Sequence, residues 1–241
     1  MKNESVAQDV KWMKLGEVGE IIRGNGLQKS DFKESGFPCI HYGQIYTKYG
    51  LQADKTLSFI DPELAKKLKK AKKGDIIFTS TSENVEDVCK PVVWLGDSEV
   101  AIGGHAMIFR SDQNAKYIAH YMVSEPFAVQ KRKQVTGTKV IDISAKRFGE
   151  ITAPIPSLVE QERIVSILDR FDALANDLSS GLPAEIEARR KQYEYYRNTL
   201  LNFDNSFDSV NVSNTILTDR QTDRQTDRQT DRQELEVGQD E

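Results

Sequence analysis

The densest set of side chains suited to binding nucleic acid lies between positions 130 and 139. It combines four cations with amide and hydroxyl groups, and a glycine and a β-prone run follow it. Cations bind phosphates, whereas amides and hydroxyls can hydrogen-bond to base edges in the major groove. The alternative interpretation is the solvated basic end of a helix. The candidate residues are Lys131, Arg132, Lys133, Gln134, Thr136, Gly137, Thr138 and Lys139.

Two smaller polar groups follow short β-prone runs. Loops at strand ends often carry binding residues, but the same residue types also form ordinary turns and caps. His105 follows two glycines and could donate to a base, although a structural histidine is the favoured interpretation. The first group is Arg23, Asn25, Lys29, Gln44, Tyr46 and Lys48, and the second is Ser80, Thr81 and Ser82.

Catalytic motifs are missing from the sequence. It has no phosphate-binding Gly-x-x-x-x-Gly-Lys-Ser/Thr loop, no Asn-Pro-Pro-aromatic motif of an amino-methyltransferase and no nucleophile elbow. The glycines at 24 and 26 are interpreted as a turn, and the spacing of Cys39 and His41 is poor for a metal site. We therefore expect no catalytic residue, no metal and no cofactor.

The charge is unevenly distributed along the 241 residues, whose net charge is −4. Residues 1–150 hold 23 Lys and Arg against 19 Asp and Glu, whereas residues 151–241 hold 10 against 18. Such asymmetry indicates different partners for the two halves. With two isolated cysteines, no apolar run long enough to span a membrane and no secretory segment, we expect a cytoplasmic protein that does not bind membranes.

Residues 11–149 carry the pattern of a mixed, β-rich domain with short helices. Turn residues separate β-prone runs at 18–22, 75–79, 92–95, 106–109 and 140–143. One helix is predicted from Pro62, capped by Asp61, to Gly74, with lysines crowding its end. Those lysines are interpreted as the solvated face of the helix.

The next segment is predicted to form two long helices. A capping box at Ser157–Glu160 opens the first, and Gly181-Leu182-Pro183 separates it from the second. Apolar residues at heptad spacing indicate helix-on-helix packing, within one chain or between chains. The residues expected to pack are Ile164, Leu168, Phe171, Leu178, Ile186, Tyr193 and Leu200.

The C-terminal segment, 204–241, is of low complexity. Thr218–Gln233 is four copies of Thr-Asp-Arg-Gln, which has no apolar face, so we expect a disordered tail. The tetrapeptide can be encoded by a four-base repeat that reads identically in every frame. This suggests a slippage switch (phase variation), with an in-frame peptide spacer as the alternative.

Several fragments, in order and spacing, resemble the DNA-specificity subunit of type I restriction–modification systems over residues 11–203. The most specific lie between Gly137 and Leu168. They are Gly137-Thr138-Lys139-Val140-Ile141, Ile155-Pro156-Ser157-Leu158, Glu160-Gln161-Glu162 and Ile164-Val165-Ser166-Ile167-Leu168, preceded by Trp12-Met13-Lys14-Leu15-Gly16-Glu17-Val18 and Gly74-Asp75-Ile76-Ile77-Phe78.

The resemblance implies an α+β protein in three parts. A β-rich target-recognition domain (11–155) precedes a long antiparallel helical hairpin or coiled coil (156–203) that serves as spacer and dimerisation region, and the repeat tail (204–241) follows. Family members bind double-stranded DNA and hold an adenine methyltransferase subunit and a restriction subunit. The specificity subunit itself is not an enzyme, because it only selects the site.

This sequence differs from the usual family pattern, which has two recognition domains and two helical regions in one chain. We expect two copies, or this chain and a second half-subunit, to pair through the helices and to read a gapped palindrome. The alternatives are a stand-alone nuclease or methyltransferase with a degenerate motif, and a non-functional truncated product of the slippage switch.

Overall fold

The polypeptide is organised around strands that the β-prone runs only partly predict. The computed structural model describes residues 10–177 and 183–203, which belong to one compact unit ending at Phe203. The strands in these ranges are β1 (Lys11–Lys14), β2 (Gly19–Arg23), β3 (Phe37–Ile40), β4 (Gln52–Ala53), β5 (Ser58–Ile60), β6 (Lys70–Ala71), β7 (Ile76–Thr79), β8 (Thr81–Ser82), β9 (Pro91–Trp94), β10 (Val100–Ile102), β11 (Ala106–Ser111), β12 (Ile141–Asp142) and β13 (Thr152–Ile155).

Helices lie mainly in the second half of the described chain. A 3-10 turn covers Lys29–Asp31. The helices are α1 (Leu15–Val18), α2 (Tyr42–Thr47), α3 (Pro62–Ala65), α4 (Ala115–Met122), α5 (Glu125–Gln134), α6 (Ala145–Gly149), α7 (Leu158–Asp177) and α8 (Pro183–Leu201). The predicted mixed α+β class is therefore confirmed. The predicted repeat tail lies outside the described residues.

A five-stranded sheet with the order β2-β11-β7-β9-β4 is buried on both faces. Successive residues of a strand point to opposite faces. In β7, Ile76 and Phe78 belong to the core beneath the helices, whereas Ile77 belongs to the core on the other face. The central strands β7, β9 and β11 are covered on both faces and are therefore nearly continuous apolar runs, which is why the sequence predicted them correctly. The edge strand β4 has two residues and was not predicted.

A smaller sheet with the order β5-β3-β10-β6 and two strand pairs complete the architecture. Strand β1 pairs antiparallel with β13, so Lys11 lies opposite Ile155 and the two ends of this region are joined. Strand β8 pairs with β12, which brings residues 81–82 beside residues 141–142. The second pair positions the polar loops considered below.

The prediction of a helix over residues 62–74 is wrong about where that helix ends. Asp61 does cap α3, since its Oδ1 accepts the Glu63 amide at 2.8 Å, but α3 ends at Ala65. Lys70 and Ala71 instead form β6, which pairs with β10 and buries Ala71 completely. The lysines that follow Ala65 consequently lie on a turn, a strand and a loop, and they do not form a helix face.

The first long helix packs on the β-rich region as well as on its neighbour. Ser157 Oγ accepts the Glu160 amide at 3.3 Å, which confirms the predicted N-terminal cap. Ile164 and Leu168 are buried in the core that contains Phe148. Phe171 instead stacks on Tyr196 of α8, with ring centroids 5.1 Å apart.

The second helix begins at the predicted residue, Pro183. Tyr193 and Leu200, two of its predicted packing residues, are partly buried against the same core, and Leu201 is fully buried in it. Leu178 and the side chain of Ile186 lie outside the described residues. The first half of α7 and the second half of α8 thus fix the helices to the β-rich region.

A buried histidine lies where α4, α7 and α8 meet. His120 is 1% exposed; its Nε2 lies 3.8 Å from Asp169, and its Nδ1 lies 3.4 Å from the Tyr193 hydroxyl. Burial lowers the pKa of His120 to about 4; Asp169 opposes this shift, while Arg197 and Lys116 favour it. His120 is therefore neutral in the folded protein near pH 7.

Acid is expected to destabilise the protein through His120. Its folded-state pKa lies below the ordinary value, so the contribution to stability is complete above about pH 6.5 and is lost as the pH falls towards 4. The full loss is roughly 3 kcal/mol. Urea unfolding of the wild type and His120→Gln at pH 7.5 and 4.5 measures it. Equal pH dependence in both proteins would contradict this assignment.

Candidate nucleic-acid interface

Three stretches that are far apart in the sequence meet at one place on the β-rich region. Pairing of β8 with β12 places Ser82 opposite Ile141. Arg23, at the end of β2, reaches Asp142 at 3.3 Å, and the Tyr46 hydroxyl donates to the Thr81 carbonyl. The structure therefore assembles members of all three sequence-predicted groups around β8 and β12.

The end of α5 and the loop from α5 to β12 carry exposed cations. Arg132, Lys133, Thr136, Gly137, Thr138 and Lys139 are exposed, and Gln134 is half-buried. Arg132 pairs with Glu125 at 2.6 Å, with both side chains more than half exposed, so water screens the pair. This set, the basic loop (residues 132–139), remains a candidate for binding phosphates.

Gly137 fixes the shape of the basic loop. Its φ is +103°, and a Cβ at this position would lie 2.0 Å from the Val140 carbonyl oxygen. Only glycine adopts this conformation without strain. Thr136 then exchanges backbone hydrogen bonds with Asp142, which closes the loop.

Lys131 does not belong to this surface, which corrects the sequence-based prediction. It is 6% exposed, and its ammonium donates to the carbonyls of Glu86 and Val88 at 2.8 and 2.9 Å. Burial lowers its pKa. The side chain stabilises the 86–88 loop from inside the fold, so it is not available to phosphates.

The predicted residues between positions 23 and 48 have different environments in the structure. The amide of Asn25 bonds the Lys67 carbonyl and the Lys69 amide, and the amide of Gln44 bonds Ser58 and the His41 backbone. These two side chains have structural partners, and the prediction that they contact DNA stays a prediction. Arg23, Lys29 and Lys48 are exposed.

The serines and threonine after β7 also differ from one another. Ser80 is 0% exposed, so it cannot reach DNA, and the prediction for this residue is wrong. Thr81 is 8% exposed, and its hydroxyl lies 2.8 Å from His105 Nδ1. Ser82 is half-buried beside the basic loop. The buried stretch of β7 therefore extends one residue beyond Thr79, to Ser80, although Ser80 is polar.

His105 lies on the same surface. It is exposed and contacts the strand end at Thr81, while the glycines before it lie against the loop at residues 24–26. A Cβ on Gly24 would lie 2.2 Å from the Gly103 carbonyl oxygen, so glycine permits these two loops to touch. The two glycines before His105 were the feature of the sequence that could have indicated this close approach.

The sequence that forms this surface matches a known protein family. Residues 7–188 match the family model described as the type I restriction modification DNA specificity domain. The chain belongs to this family. The candidate interface therefore lies on a DNA specificity domain, and the predicted family resemblance is confirmed.

Curated relatives of this DNA specificity domain are named as specificity subunits. The EcoR124I/EcoR124II specificity subunit of Escherichia coli is 32% identical over 200 residues, covering 81% of this chain and 49% of the relative. A type I restriction enzyme specificity subunit of Haemophilus influenzae is 29% identical over 201 residues, covering 80% of this chain and 48% of the relative. The chain spans about half the length of these relatives.

Solved structures show the same fold. An HsdS subunit from Thermoanaerobacter tengcongensis superposes with a TM-score of 0.52 at 18% identity, over 84% of this chain and 46% of that chain. The S subunit from M. genitalium gives a TM-score of 0.50 at 15% identity, over 75% and 43%.

The fragments that carried the resemblance hold the DNA specificity domain together. Asp75 accepts two hydrogen bonds from Arg110, at 2.9 and 2.7 Å, and is 2% exposed. Gln161 is fully buried, donates to Gln113 and the Pro156 carbonyl, and accepts from the Asn114 amide. These polar groups join sheet and helices, so the family fragments describe the scaffold.

No group of His, Cys, Asp and Glu suited to a metal ion occurs among the residues described. Cys39 and Cys89 are buried, and burial raises the pKa of both thiols to about 12, which keeps them protonated near pH 7. Within the same residues, no helix is long and apolar enough to cross a membrane.

Proposed function

We propose that this chain is a DNA-recognition subunit of a type I restriction–modification system. The β-rich domain, residues 11–155, reads one half-site of double-stranded DNA. The observation that carries the proposal is the meeting of Arg23, β8 and the basic loop at one surface of a DNA specificity domain. Cations there hold phosphates, and polar side chains beside them reach base edges.

The helices, residues 156–203, are proposed to form an antiparallel hairpin that sets the distance between half-sites. Phe171 lies beside Tyr196. If the helices were parallel, Asp177 and Pro183 would lie about 28 Å apart, whereas the chain between them reaches only about 20 Å. The 20 residues of α7 extend about 30 Å, close to one turn of duplex.

The second half-site is proposed to be read by a second recognition unit that pairs through these helices. Tyr195 and Tyr196 of α8 are 45% and 38% exposed, which leaves aromatic surface for a partner helix. The unit is a second copy of this chain or a separate half-subunit. Light scattering of the purified chain, with and without Tyr195→Ser, measures the pairing.

Catalysis is proposed to come from other subunits in the cytoplasm. An adenine methyltransferase subunit marks the DNA that this chain selects, and a restriction subunit cuts it. Leu158 and Val159 are 55% and 82% exposed at the start of α7, beside the β-rich domain. This apolar surface suits docking of such a subunit.

Methylome sequencing tests the proposal. The chain is expressed with the methyltransferase subunit of its system in cells that lack other adenine methylation. We expect methylated adenines in a bipartite motif that disappears without the chain, and two identical readers give a palindromic motif. Absence of a chain-dependent motif would refute the proposal. Methylation or cleavage of DNA by the purified chain alone, with S-adenosylmethionine or Mg²⁺, would replace it with an enzymatic function.

A further inference from the structure

A groove of about 410 Å³ lies beside the basic loop, and its wall includes Tyr42, Thr81, His105 and Val140. Continuity with the candidate interface is direct, because Val140 follows Lys139 in the chain and Thr81 pairs with Asp142 in the β8–β12 ladder. A duplex held by the basic loop would therefore present its groove edges to this cavity.

His105 is held in one orientation within this groove. Its Nδ1 shares a hydrogen bond of 2.8 Å with the Thr81 hydroxyl, and its ring lies 4.8 Å from the ring of Tyr42. Among the described residues, none hydrogen-bonds to its Nε2. Because Thr81 occupies one ring nitrogen, the other remains as a single donor or acceptor for a ligand.

The charges of the groove favour a base edge over a phosphate. Its lining contains the carboxylates of Glu83 and Asp87 and no lysine or arginine. Carboxylates repel phosphate oxygens but accept hydrogen bonds from the amino groups of bases. The cations stand next to the groove, at Lys139 and Arg23, where they can hold the sugar–phosphate backbone.

An apolar side chain at the same groove narrows the ligand further. Val140 is 60% exposed and lines the groove, so its methyl groups are accessible to a ligand there. Apolar contacts of this kind recognise the methyl group of thymine in the major groove. An A·T pair offers that methyl group together with N7, O4 and the adenine amino group.

We propose that His105 reads an A·T base pair of the half-site and that Val140 contacts its thymine methyl. Thr81 is a positioning residue, since it fixes the ring through Nδ1 and is itself buried. The inference rests on the proposed function and adds the residues and the base pair that it uses.

The test is the methylome experiment repeated with single variants of the full chain. His105→Ala and His105→Gln are expected to retain methylation but to reduce the preference for A·T at one position of each half-site by about ten- to a hundredfold. Val140→Ala is expected to relax the same position. Thr81→Val should do so as well, whereas Thr81→Ser keeps the hydroxyl and restores the wild-type motif.

Two results would overturn the assignment. One is an unchanged motif in the His105 variants, and the other is an equal loss of methylation at every sequence in variants with the wild-type melting temperature. A wild-type chain without any bipartite motif would refute the proposed function itself. The failure of the His105 assignment is therefore distinguishable from the failure of the proposed function.

Discussion

Replacing Asp75 by alanine is expected to lower the free energy of unfolding by about 3 kcal/mol, because it leaves the half-buried charge of Arg110 without its hydrogen-bonded partner. Asp75 is 2% exposed and accepts hydrogen bonds from Nε and one terminal nitrogen of Arg110. The Lys72 amide also donates a hydrogen bond to it. The Asp75 carboxylate raises the pKa of Arg110. Urea denaturation at pH 7 measures the change.

Asp97→Ala is the matched control. Asp97 pairs with Lys73 at 2.6 Å, but its side chain is 92% exposed, so no measurable loss of stability is expected. In the double variant of Asp75→Ala with Arg110→Met, the loss should be smaller than the sum of the two single losses, because both remove the same pair. Additive losses would show that the ion pair is not what stabilises this position.

The central strands β7, β9 and β11 could be predicted from the sequence because they are buried on both faces. Runs such as Ile76–Thr79 and Ala106–Ser111 are apolar for several residues and end at turn residues. Strands of the smaller sheet carry no such signal. Val100–Ile102 has three residues, and Phe37–Ile40 contains a proline, so only their pairing partners define them.

The same limit explains the incorrect helix end. Residues 62–73 have the composition of a helix, with leucines at suitable spacing and lysines towards the end. Pairing of Lys70–Ala71 with β10 outweighs this local preference. Tertiary contacts of this kind cannot be read from spacing within one segment.

The candidate site was predictable as a set of segments and not as individual side chains. The glycine at 137 and the surrounding cations identified the basic loop correctly as an exposed element. The burial of Lys131 depends on the carbonyls of Glu86 and Val88, which lie more than forty residues away in the sequence. The orientation of the His105 ring likewise depends on Thr81, which another strand supplies.

Neutralising the basic loop is expected to produce the largest loss of DNA binding. A triple variant, Arg132→Gln, Lys133→Gln and Lys139→Gln, removes three exposed cations and adds no new carboxylate. If each contacts a phosphate, the slope of log affinity against log salt falls by about 3, and affinity near 0.1 M salt falls on the order of 10²- to 10³-fold. Titration of a 30-base-pair duplex at several salt concentrations measures both.

Lys131→Met is the control that separates charge from surface position. It removes the same net charge as Lys133→Met, from a position two residues away in the same helix, but Lys131 is buried. The salt slope should therefore stay unchanged, while two carbonyls lose their donor and stability falls by about 1–3 kcal/mol. Lys133→Met should do the reverse, lowering the slope by about 1 and leaving stability unchanged. Equal slopes in the two variants would mean that phosphates are bound elsewhere, since only Lys133 of this pair can reach a duplex lying on the surface.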